Sequence, residues 1–476
     1  MIFYTLGKLL IALSVILLLP AGVALIYKEA CLAAFLIAAA ISLVIGLLLN
    51  KFCKPTSHVI YAREGFAIVS LVWLSMSAIG ALPFVISGEI PSFVDAFFET
   101  VSGFTTTGAS ILRDVESMSH GLLFWRSFTH WLGGMGVLVF VMALLPNVSD
   151  RSIHILRAEV PGPIVGKLVP RIKDTAKILY VIYIALTLIE VVFLLFGGMS
   201  VFESFVHAFG TAGTGGFGIK ADSIGGYSPY LQWVIAIFMI LFGVNFNLYY
   251  FALIKKAGMA LKSRELWCYF GIIAVSAALI CINIYPLYGS FGEVLRQSVF
   301  QVSSIVTTTG YATADFNLWP AFSKGILFAL LFVGACAGST GGGLKISRIM
   351  LLFKIIGREI RRLIHPRSVA KVKLEGKSVD ESTLGGVTTY FALYMVGIIA
   401  TFLVLSIEPF GIETNVSAAI SCFNNVGPGF AGVGPAASYA DYSALSKLTL
   451  SLAMLLGRLE IYPLLIVLIP SFWKKD

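Results

Sequence analysis

The sequence predicts an all-α membrane protein of ten transmembrane helices with four re-entrant pore loops. An N-terminal helix pair precedes four pseudo-symmetric helix, pore loop, helix units. Three observations predict this fold class. Of 476 residues, 58% are hydrophobic and 12% are charged, whereas soluble domains carry about 25% charged residues. Apolar stretches long enough to cross a bilayer recur along the chain. Four linkers after the second stretch repeat one short pattern that contains a glycine.

Ten apolar stretches reach roughly the 20 residues that a helix needs to cross the hydrocarbon. We expect spans at 9–27, 30–50, 66–86, 122–146, 178–199, 230–254, 266–288, 322–352, 384–407 and 444–470. Another apolar run follows the first span at once, which favours a retained anchor over a cleaved signal peptide. The six cysteines have no CxxC spacing and indicate neither a metal site nor a disulfide framework.

The distribution of Lys and Arg predicts the orientation, because cytoplasmic loops retain positive charge. These residues are concentrated at the termini and in every second linker, which places both termini in the cytosol. The net charge of +9 is therefore interpreted as a consequence of membrane topology, because the excess Lys and Arg lie in the cytoplasmic linkers. Anionic lipid is the expected surface partner, and no nucleic acid is expected.

The repeat is seen in VDAFFETVSGFTTTGAS, FESFVHAFGTAGTGGFG, VLRQSVFQVSSIVTTTGYA and NVSAAISCFNNVGPGF. Aligned on Gly108, Gly216, Gly310 and Gly427, the four linkers have Thr106, Thr214, Thr308 and Asn425 two residues earlier. Six residues earlier all four carry a small residue, namely Ser102, Gly210, Ser304 and Ser421. Each linker is long enough for a half-crossing helix and an extended return. Acidic or hydroxyl residues open these helices, as N-terminal capping favours: Ser92, Asp95, Glu203, Glu293, Glu413 and Thr414.

Four such loops on one side of the membrane predict an ion filter. One glycine alone would more simply indicate close helix packing or a turn. Backbone carbonyl oxygens can replace the hydration shell of a cation, and glycine permits the φ values that aim them inward. We expect K⁺ at Thr106, Thr107, Gly108, Thr214, Gly215, Gly216, Thr308, Thr309, Gly310, Asn425, Val426 and Gly427. One glycine per loop predicts K⁺ preference that is less stringent than that of a TVGYG filter.

The segment GACAGSTGGGLK at 334–345, here called the gate segment, interrupts the eighth span. Each glycine costs a helix up to about 1 kcal/mol relative to alanine, and a break at membrane depth favours a water-filled cavity. We expect a movable barrier built from Gly338, Ser339, Thr340, Gly341, Gly342, Gly343 and Lys345. A GxxxG packing face is the alternative. A phosphate-binding loop is not expected, because Leu344 precedes Lys345 and breaks the GxxxxGK[ST] frame.

Arg458 lies inside the last predicted span, where an ionisable residue indicates function because its burial is costly. Arg458 is therefore a functional candidate. The alternative is a structural ion pair with the nearby Glu460.

Three stretches closely resemble the TrkH family of bacterial K⁺ transport subunits, within the TrkH, KtrB and HKT superfamily. They are the glycine loops, above all SGFTTTGAS, the segment GACAGSTGGGLKISRI at 334–349, and GRLEIYPLLIVLIPSFW at 457–473. The resemblance implies that the four aligned glycines line a K⁺ filter and that 334–345 is an intramembrane gating loop. It also implies that Arg458 lies in the conduction path near this loop, as part of the gate. It also implies a homodimer in the bacterial cytoplasmic (inner) membrane.

Glycines in the first and second loops bear on selectivity. Relatives that conduct Na⁺ often have serine at the first filter position, where this chain has Gly108. The second loop departs from the family pattern through its extra glycines, Gly213 and Gly215.

The linker at 354–377, here called the basic linker, is rich in Lys and Arg. One interpretation is a loop facing anionic lipid. The resemblance implies another, the docking of a TrkA-like cytosolic regulatory subunit. This chain carries no nucleotide motif and needs no cofactor, so a regulating nucleotide is expected on the partner.

We expect the N-terminal helix pair at 1–55 and pore units at 56–150, 151–260, 261–377 and 378–476. The predicted function is K⁺ transport through a channel-like pore under the control of a cytosolic subunit. The alternative is an ion-coupled secondary transporter with alternating access. An enzyme is not expected, because no nucleophile with a base is evident.

Overall fold

The computed structural model describes residues 1–55, 62–136, 172–368 and 370–473. Within this part of the chain, six helices are long and apolar enough to cross a membrane, or seven if one bent pair is a single span. The six are Ile2–Tyr27, Cys31–Phe52, Glu64–Ser87, Ala176–Phe196, Arg264–Leu287 and Glu381–Leu405. The bent pair is Pro229–Phe242 and Phe246–Leu253, which meet at 90°. Two short strands, Lys373–Leu374 and Lys377–Ser378, form an antiparallel hairpin.

The N-terminal pair consists of Ile2–Ile16 with Leu18–Tyr27, packed against Cys31–Phe52. The helices Ile2–Ile16 and Cys31–Phe52 approach closely at Gly7, where an added Cβ would lie 2.8 Å from the carbonyl oxygen of Gly46. Small residues allow such close contact between membrane helices, where dispersion forces drive association.

Glu29, in the connection between these helices, attaches the N-terminal pair to the first unit. Its carboxylate accepts hydrogen bonds from the backbone N–H groups of His120 at 2.8 Å and Gly121 at 2.9 Å. Burial by itself raises the pKa of the Glu29 carboxyl, but these donations outweigh it and hold that pKa below its usual value.

Each of the four units contains a first helix, a short helix and a second helix. The first helices are Ala62–Ser87, Ile172–Phe196, Arg264–Ile284 and Glu381–Leu405. The short helices are Phe93–Phe104, Val201–Gly213, Phe291–Val306 and Ile412–Phe423. The second helices are His120–Gly134, Pro229–Phe242 with Phe246–Leu253, Ala321–Leu330 with Ile346–Ile364, and Ala444–Arg458 with Tyr462–Leu468.

The short helices begin where the polar residues of the linkers predict. Ser92, Ser200 and Ser290 cap the first three, and Ser200 forms a reciprocal capping box with Glu203. The fourth begins after Gly411 without a side-chain cap and has Glu413 in its first turn. Carboxylates at these ends complement the positive pole of each helix dipole.

The four units close into a ring. The first short helix packs against the second helix of unit four, the second against that of unit one, and the third against that of unit two. Phe328 on the second helix of unit three contacts Phe430 of unit four, with ring centroids 5.9 Å apart. Buried apolar side chains form two large clusters, one chiefly in the N-terminal pair and units one and two, the other chiefly in units three and four.

Three of the expected spans are broken within the membrane. The break in 322–352 is where the glycine-rich segment predicts it, between Leu330 and Ile346. The spans at 230–254 and 444–470 were expected to be continuous, and the structure corrects this. Asn245 caps a new helix after the bend in the former, and Glu460 and Ile461 adopt positive φ in the latter. The fourth expected span, 122–146, is described only as far as Gly136.

Candidate filter and gate

All four glycine loops have the same backbone conformation as they leave the short helices. Two residues before the glycine, φ is positive at Thr106 (55°), Thr214 (55°), Thr308 (59°) and Asn425 (56°). It is positive again at Gly108 (79°), Gly216 (75°), Gly310 (82°) and Gly427 (98°). Residues other than glycine adopt positive φ rarely, so its recurrence two residues before each glycine marks one backbone turn used four times. The second loop shares this turn, with Gly216 at the glycine position.

The four loops contact one another in a closed ring through backbone atoms. A Cβ added to Gly108 would overlap the carbonyl oxygen of Gly215, and one added to Gly216 would overlap that of Thr309. A Cβ added to Gly310 would likewise overlap the carbonyl oxygen of Val426, and one added to Gly427 would lie 2.5 Å from the carbonyl oxygen of Thr107. Each carbonyl belongs to the residue before a loop glycine. The four glycines and the four carbonyl groups therefore surround a single axis.

Hydrogen bonds between hydroxyl and amide side chains of the loops stabilise this ring. Thr105 pairs with Thr107, and Thr307 with Thr309, at 2.8 Å each. Asn425 Nδ2 donates to Thr107 Oγ1 at 3.0 Å and so joins the fourth loop to the first. The hydroxyl of Thr106 is buried without a hydrogen-bond partner among the described residues. A cavity of about 370 Å³ is lined by all four loop glycines.

The extra glycines of the second loop make room for His130. A Cβ on Gly213 would overlap the backbone of His130, and a Cβ on Gly215 would overlap its imidazole ring. That ring lies with Nδ1 2.8 Å from the carbonyl oxygen of Gly103 and with Nε2 3.3 Å from the backbone nitrogen of Phe217. The contacts assign the proton to Nδ1, so that Nε2 accepts from Phe217.

The gate segment lies beside the third and fourth loops. The N–H of Gly342 donates to Thr308 Oγ1 at 2.6 Å. A Cβ on Gly342 would lie 2.7 Å from the carbonyl oxygen of Asn424, and one on Gly341 would lie 3.0 Å from that of Thr307. Only residues without side chains allow the backbone to approach the loops this closely.

The gate segment is attached to the bend in unit two. The N–H of Cys336 donates to Gly243 O at 3.1 Å, and the N–H of Phe246 donates to Gly338 O at 3.0 Å. Thr340 Oγ1 donates to Phe242 O at 3.2 Å. The end of one broken helix therefore supplies partners to the break in another, which satisfies backbone groups that the membrane would otherwise leave unpaired.

Arg458 and Lys345, the second of which belongs to the gate segment, are both bound by carbonyl groups of that segment. Arg458 donates to the carbonyl oxygens of Thr340 at 2.9 Å and Gly134 at 2.9 Å, and also contacts Gly133 O. Lys345 is buried, with Nζ directed at the carbonyl oxygens of Gly341 and Gly342. Both side chains are held by backbone carbonyl groups.

The architecture is shared with known proteins. The TrkH family model, described as a cation transport protein, matches residues 32–280 and 289–475. The chain belongs to the TrkH family. It is 37% identical over 478 residues to the Trk system potassium uptake protein TrkH of Salmonella typhimurium strain LT2, covering 98% of each chain. It is 35% identical to TrkG of Escherichia coli K12, covering 98% of this chain and 97% of that relative.

The structure is also similar to the crystal structure of the potassium transporter TrkH from Vibrio parahaemolyticus. The TM-score is 0.89 at 33% identity, with 99% of both chains covered. The family and the all-α membrane fold predicted from the sequence are thus confirmed.

Sequence reasoning missed several buried charges of this TrkH family member. Arg126 and Glu99 form an ion pair at 2.8 Å, with exposed side-chain fractions of 3% and 0%. Glu99 also accepts from the N–H of Ile111 at 2.9 Å, and the Arg126 guanidinium lies 4.0 Å from the centroid of the Phe217 ring. The only available signal was an arginine within an apolar stretch, since the partners lie far apart in sequence.

A second missed pair lies beside the gate segment. Arg348 forms a bidentate ion pair with Glu460, at 2.9 and 2.5 Å. The predicted alternative for Arg458 was an ion pair with this same Glu460. A third missed group is Glu265, whose carboxylate accepts from the N–H groups of Ala337 at 2.7 Å and Ser347 at 3.2 Å. It therefore contacts both the gate segment and the helix that follows.

Proposed function

We propose that this chain passes K⁺ across the membrane through a channel-like pore whose filter is the ring of four glycine loops. The observation that carries the proposal is the closed ring in which four backbone carbonyl groups face four glycines. Such rings replace the hydration shell of K⁺ with carbonyl oxygens. The relatives named above are potassium uptake proteins and a potassium transporter, which supports K⁺ as the transported ion.

The short helices add an electrostatic contribution. All four end directly before the glycine loops, so their partially negative C-terminal ends point toward the axis. The unpartnered hydroxyl of Thr106 offers a further oxygen to a cation or its water. One ring of glycines gives a shorter filter than TVGYG, so the preference for K⁺ over Na⁺ is moderate.

The gate segment closes the pathway in this proposal. Its backbone lies against the third and fourth loops, and Arg458 holds it to the second helix of unit one. The cationic groups of Arg458 and Lys345 repel a resting K⁺. Opening requires the segment to leave these contacts, and its glycines give the backbone the freedom to do so.

Regulation by a TrkA-like cytosolic subunit is proposed to act through the hairpin in the basic linker. Glu375, at the hairpin turn, accepts hydrogen bonds from the N–H groups of Arg264 at 3.2 Å and Glu265 at 3.1 Å. The side chain of Glu265 in turn accepts from Ala337 and Ser347. A displacement of the hairpin would therefore shift the start of the helix Arg264–Ile284. Through Glu265, that shift would act on Ala337 in the gate segment and on Ser347 just after it. The nucleotide belongs to the partner, and the chain acts as a homodimer in the inner membrane.

Ion flux tests this proposal. The purified chain is reconstituted in liposomes, and the uptake of a Rb⁺ tracer is measured with and without the cytosolic subunit. We expect rapid passive uptake that K⁺ inhibits more strongly than Na⁺ and that the subunit changes. Empty liposomes are the control. Equal inhibition by K⁺ and Na⁺ would contradict the filter.

The broken helices of units two, three and four support a second candidate, an ion-coupled secondary transporter, because broken helices at the midplane are typical of that class. The same experiment separates the two. Slow, saturable uptake that requires a Na⁺ or H⁺ gradient would favour the transporter, whereas passive flux without any such gradient would exclude it.

A further inference from the structure

Loops three and four share a hydrogen bond between the short helix and the backbone that follows the loop glycine. Ser304 Oγ donates to the carbonyl oxygen of Tyr311 at 2.5 Å, and Ser421 Oγ donates to that of Pro428 at 3.0 Å. Each serine lies six residues before its loop glycine, and each acceptor carbonyl belongs to the residue directly after that glycine. A serine hydroxyl thus holds the backbone immediately beyond the glycine in both loops.

The second loop has no such hydroxyl of its own, because Gly210 occupies the serine position. The phenol group of Tyr311, from unit three, takes its place. A Cβ added to Gly210 would overlap Tyr311 Oη and would lie 3.4 Å from the carbonyl oxygen of Phe217. Tyr311 Oη itself is 3.3 Å from that oxygen and 3.3 Å from the carbonyl oxygen of His207. Phe217 directly follows Gly216.

We infer that Tyr311 is a positioning residue for ion selectivity, which supplies to loop two from the neighbouring unit the hydroxyl that serine supplies to loops three and four from within. The inference rests on the proposed filter. Tyr311 is 1% exposed, so its hydroxyl is shielded from bulk solvent. The same residue accepts from Ser304 through its backbone, which couples the positions of loops two and three.

The surroundings of Phe217 show why this contact matters. Its N–H donates to His130 Nε2 of unit one at 3.3 Å, and its carbonyl oxygen faces Tyr311 of unit three. Both backbone groups of this residue are therefore paired with side chains from other units. Without the tyrosine hydroxyl, the carbonyl of Phe217 loses a partner in a buried site. The adjacent Gly216 and the carbonyl of Gly215 would then be less well positioned in the ring.

Four variants test the inference: Tyr311→Phe, Gly210→Ser, and the double variants Gly210→Ser/Tyr311→Phe and Gly210→Ala/Tyr311→Phe. Each is reconstituted in liposomes, and inhibition of Rb⁺ uptake by K⁺ and by Na⁺ is compared. We expect Tyr311→Phe to lower the preference for K⁺ several-fold while uptake continues. Gly210→Ser alone is expected to lower uptake, because its side chain overlaps the tyrosine hydroxyl.

The double variants separate the hydroxyl from the space it fills. Once Tyr311→Phe removes the oxygen, a Cβ at position 210 lies 3.0 Å from the ring carbon Cζ, and the ring must shift by a few tenths of an ångström. We expect Gly210→Ser/Tyr311→Phe to recover selectivity, because serine restores a hydroxyl near Phe217 O. Gly210→Ala/Tyr311→Phe fills the same space without one and is expected to stay impaired.

The outcomes are distinguishable from failure of the filter. Gly108→Ser tests the filter itself, and Tyr230→Phe, which removes a half-exposed hydroxyl bonded to Phe193 O at 3.3 Å, controls for the substitution. If Gly108→Ser lowers selectivity but Tyr311→Phe does not, the inference is overturned and the filter stands. If neither does, the filter assignment fails. Equal recovery by both double variants overturns the role of the hydroxyl. Thermal unfolding in detergent establishes that each variant is folded.

Discussion

The guanidinium group of Arg458 donates a hydrogen bond to the carbonyl oxygen of Thr340 at 2.9 Å and so joins the last unit to the gate segment of the third. The same group donates to the carbonyl oxygen of Gly134 in unit one. Three of the four units therefore meet at one side chain. The gate segment cannot move away from the loops without breaking or lengthening the bond at Thr340.

Replacing Arg458 with alanine is expected to raise ion leak through the closed state. Hydrogen bonds from charged groups contribute about 1.5–3 kcal/mol, so their loss shifts the balance between closed and open states by about tenfold or more. The measurement is Rb⁺ efflux from liposomes without the cytosolic subunit. Arg362→Ala, at a mostly exposed site, is the matched control. Unchanged efflux in Arg458→Ala would count against a barrier role for this residue.

Serine in place of Gly108 is expected to weaken discrimination against Na⁺. The new Cβ overlaps the carbonyl oxygen of Gly215 and enforces positive φ on a residue that disfavours it. Competition of Na⁺ with Rb⁺ uptake measures the change. Gly88→Ser is the control, since Gly88 has φ of 80° but open space around it. Retained selectivity in Gly108→Ser would remove this glycine from the filter.

Breaking the buried pair of Glu99 and Arg126 is expected to destabilise the protein strongly. Removal of one partner leaves the other charge buried and unpaired, at a cost of about 3–5 kcal/mol. Thermal unfolding in detergent should show a larger loss for Arg126→Met than for the double variant Glu99→Gln/Arg126→Met. If the double variant loses at least as much stability as Arg126→Met, the unpaired Glu99 charge is not the cause of the loss.

Substituting Glu375 with alanine is expected to reduce the effect of the cytosolic subunit on flux, while selectivity stays unchanged. The substitution removes the acceptor of the N–H groups of Arg264 and Glu265 at the start of a membrane helix. Flux is compared with and without the subunit, beside Glu381→Ala, which removes an exposed partner of Arg358. Full regulation in Glu375→Ala would exclude the hairpin as the route to the gate.

Features that depend on neighbouring residues in sequence were largely predictable. The polar starts of the short helices and the break at the gate segment follow from capping and from helix propensity, which are local properties. The break at Asn245 was not predictable, because its segment, 230–254, contains neither proline nor a run of glycines. The break at Glu460 did have a local signal that the sequence analysis missed, because Pro463 lies in the first turn of the helix that follows, where proline is favoured. Other units supply partners at both breaks: the gate segment bonds the backbone near Asn245, and Arg348 donates to the carboxylate of Glu460.

By itself, the sequence determined the membrane class, the fourfold repeat and the position of the glycine in each loop, because apolar length and short motifs report on local physics. Only the tertiary structure decided which residues meet at the axis. His130 requires the glycines of loop two, and Tyr311 takes the place of a missing serine at Gly210. Such contacts join residues about 80 to 100 positions apart. They follow from the packing of four unequal units, which no local pattern encodes.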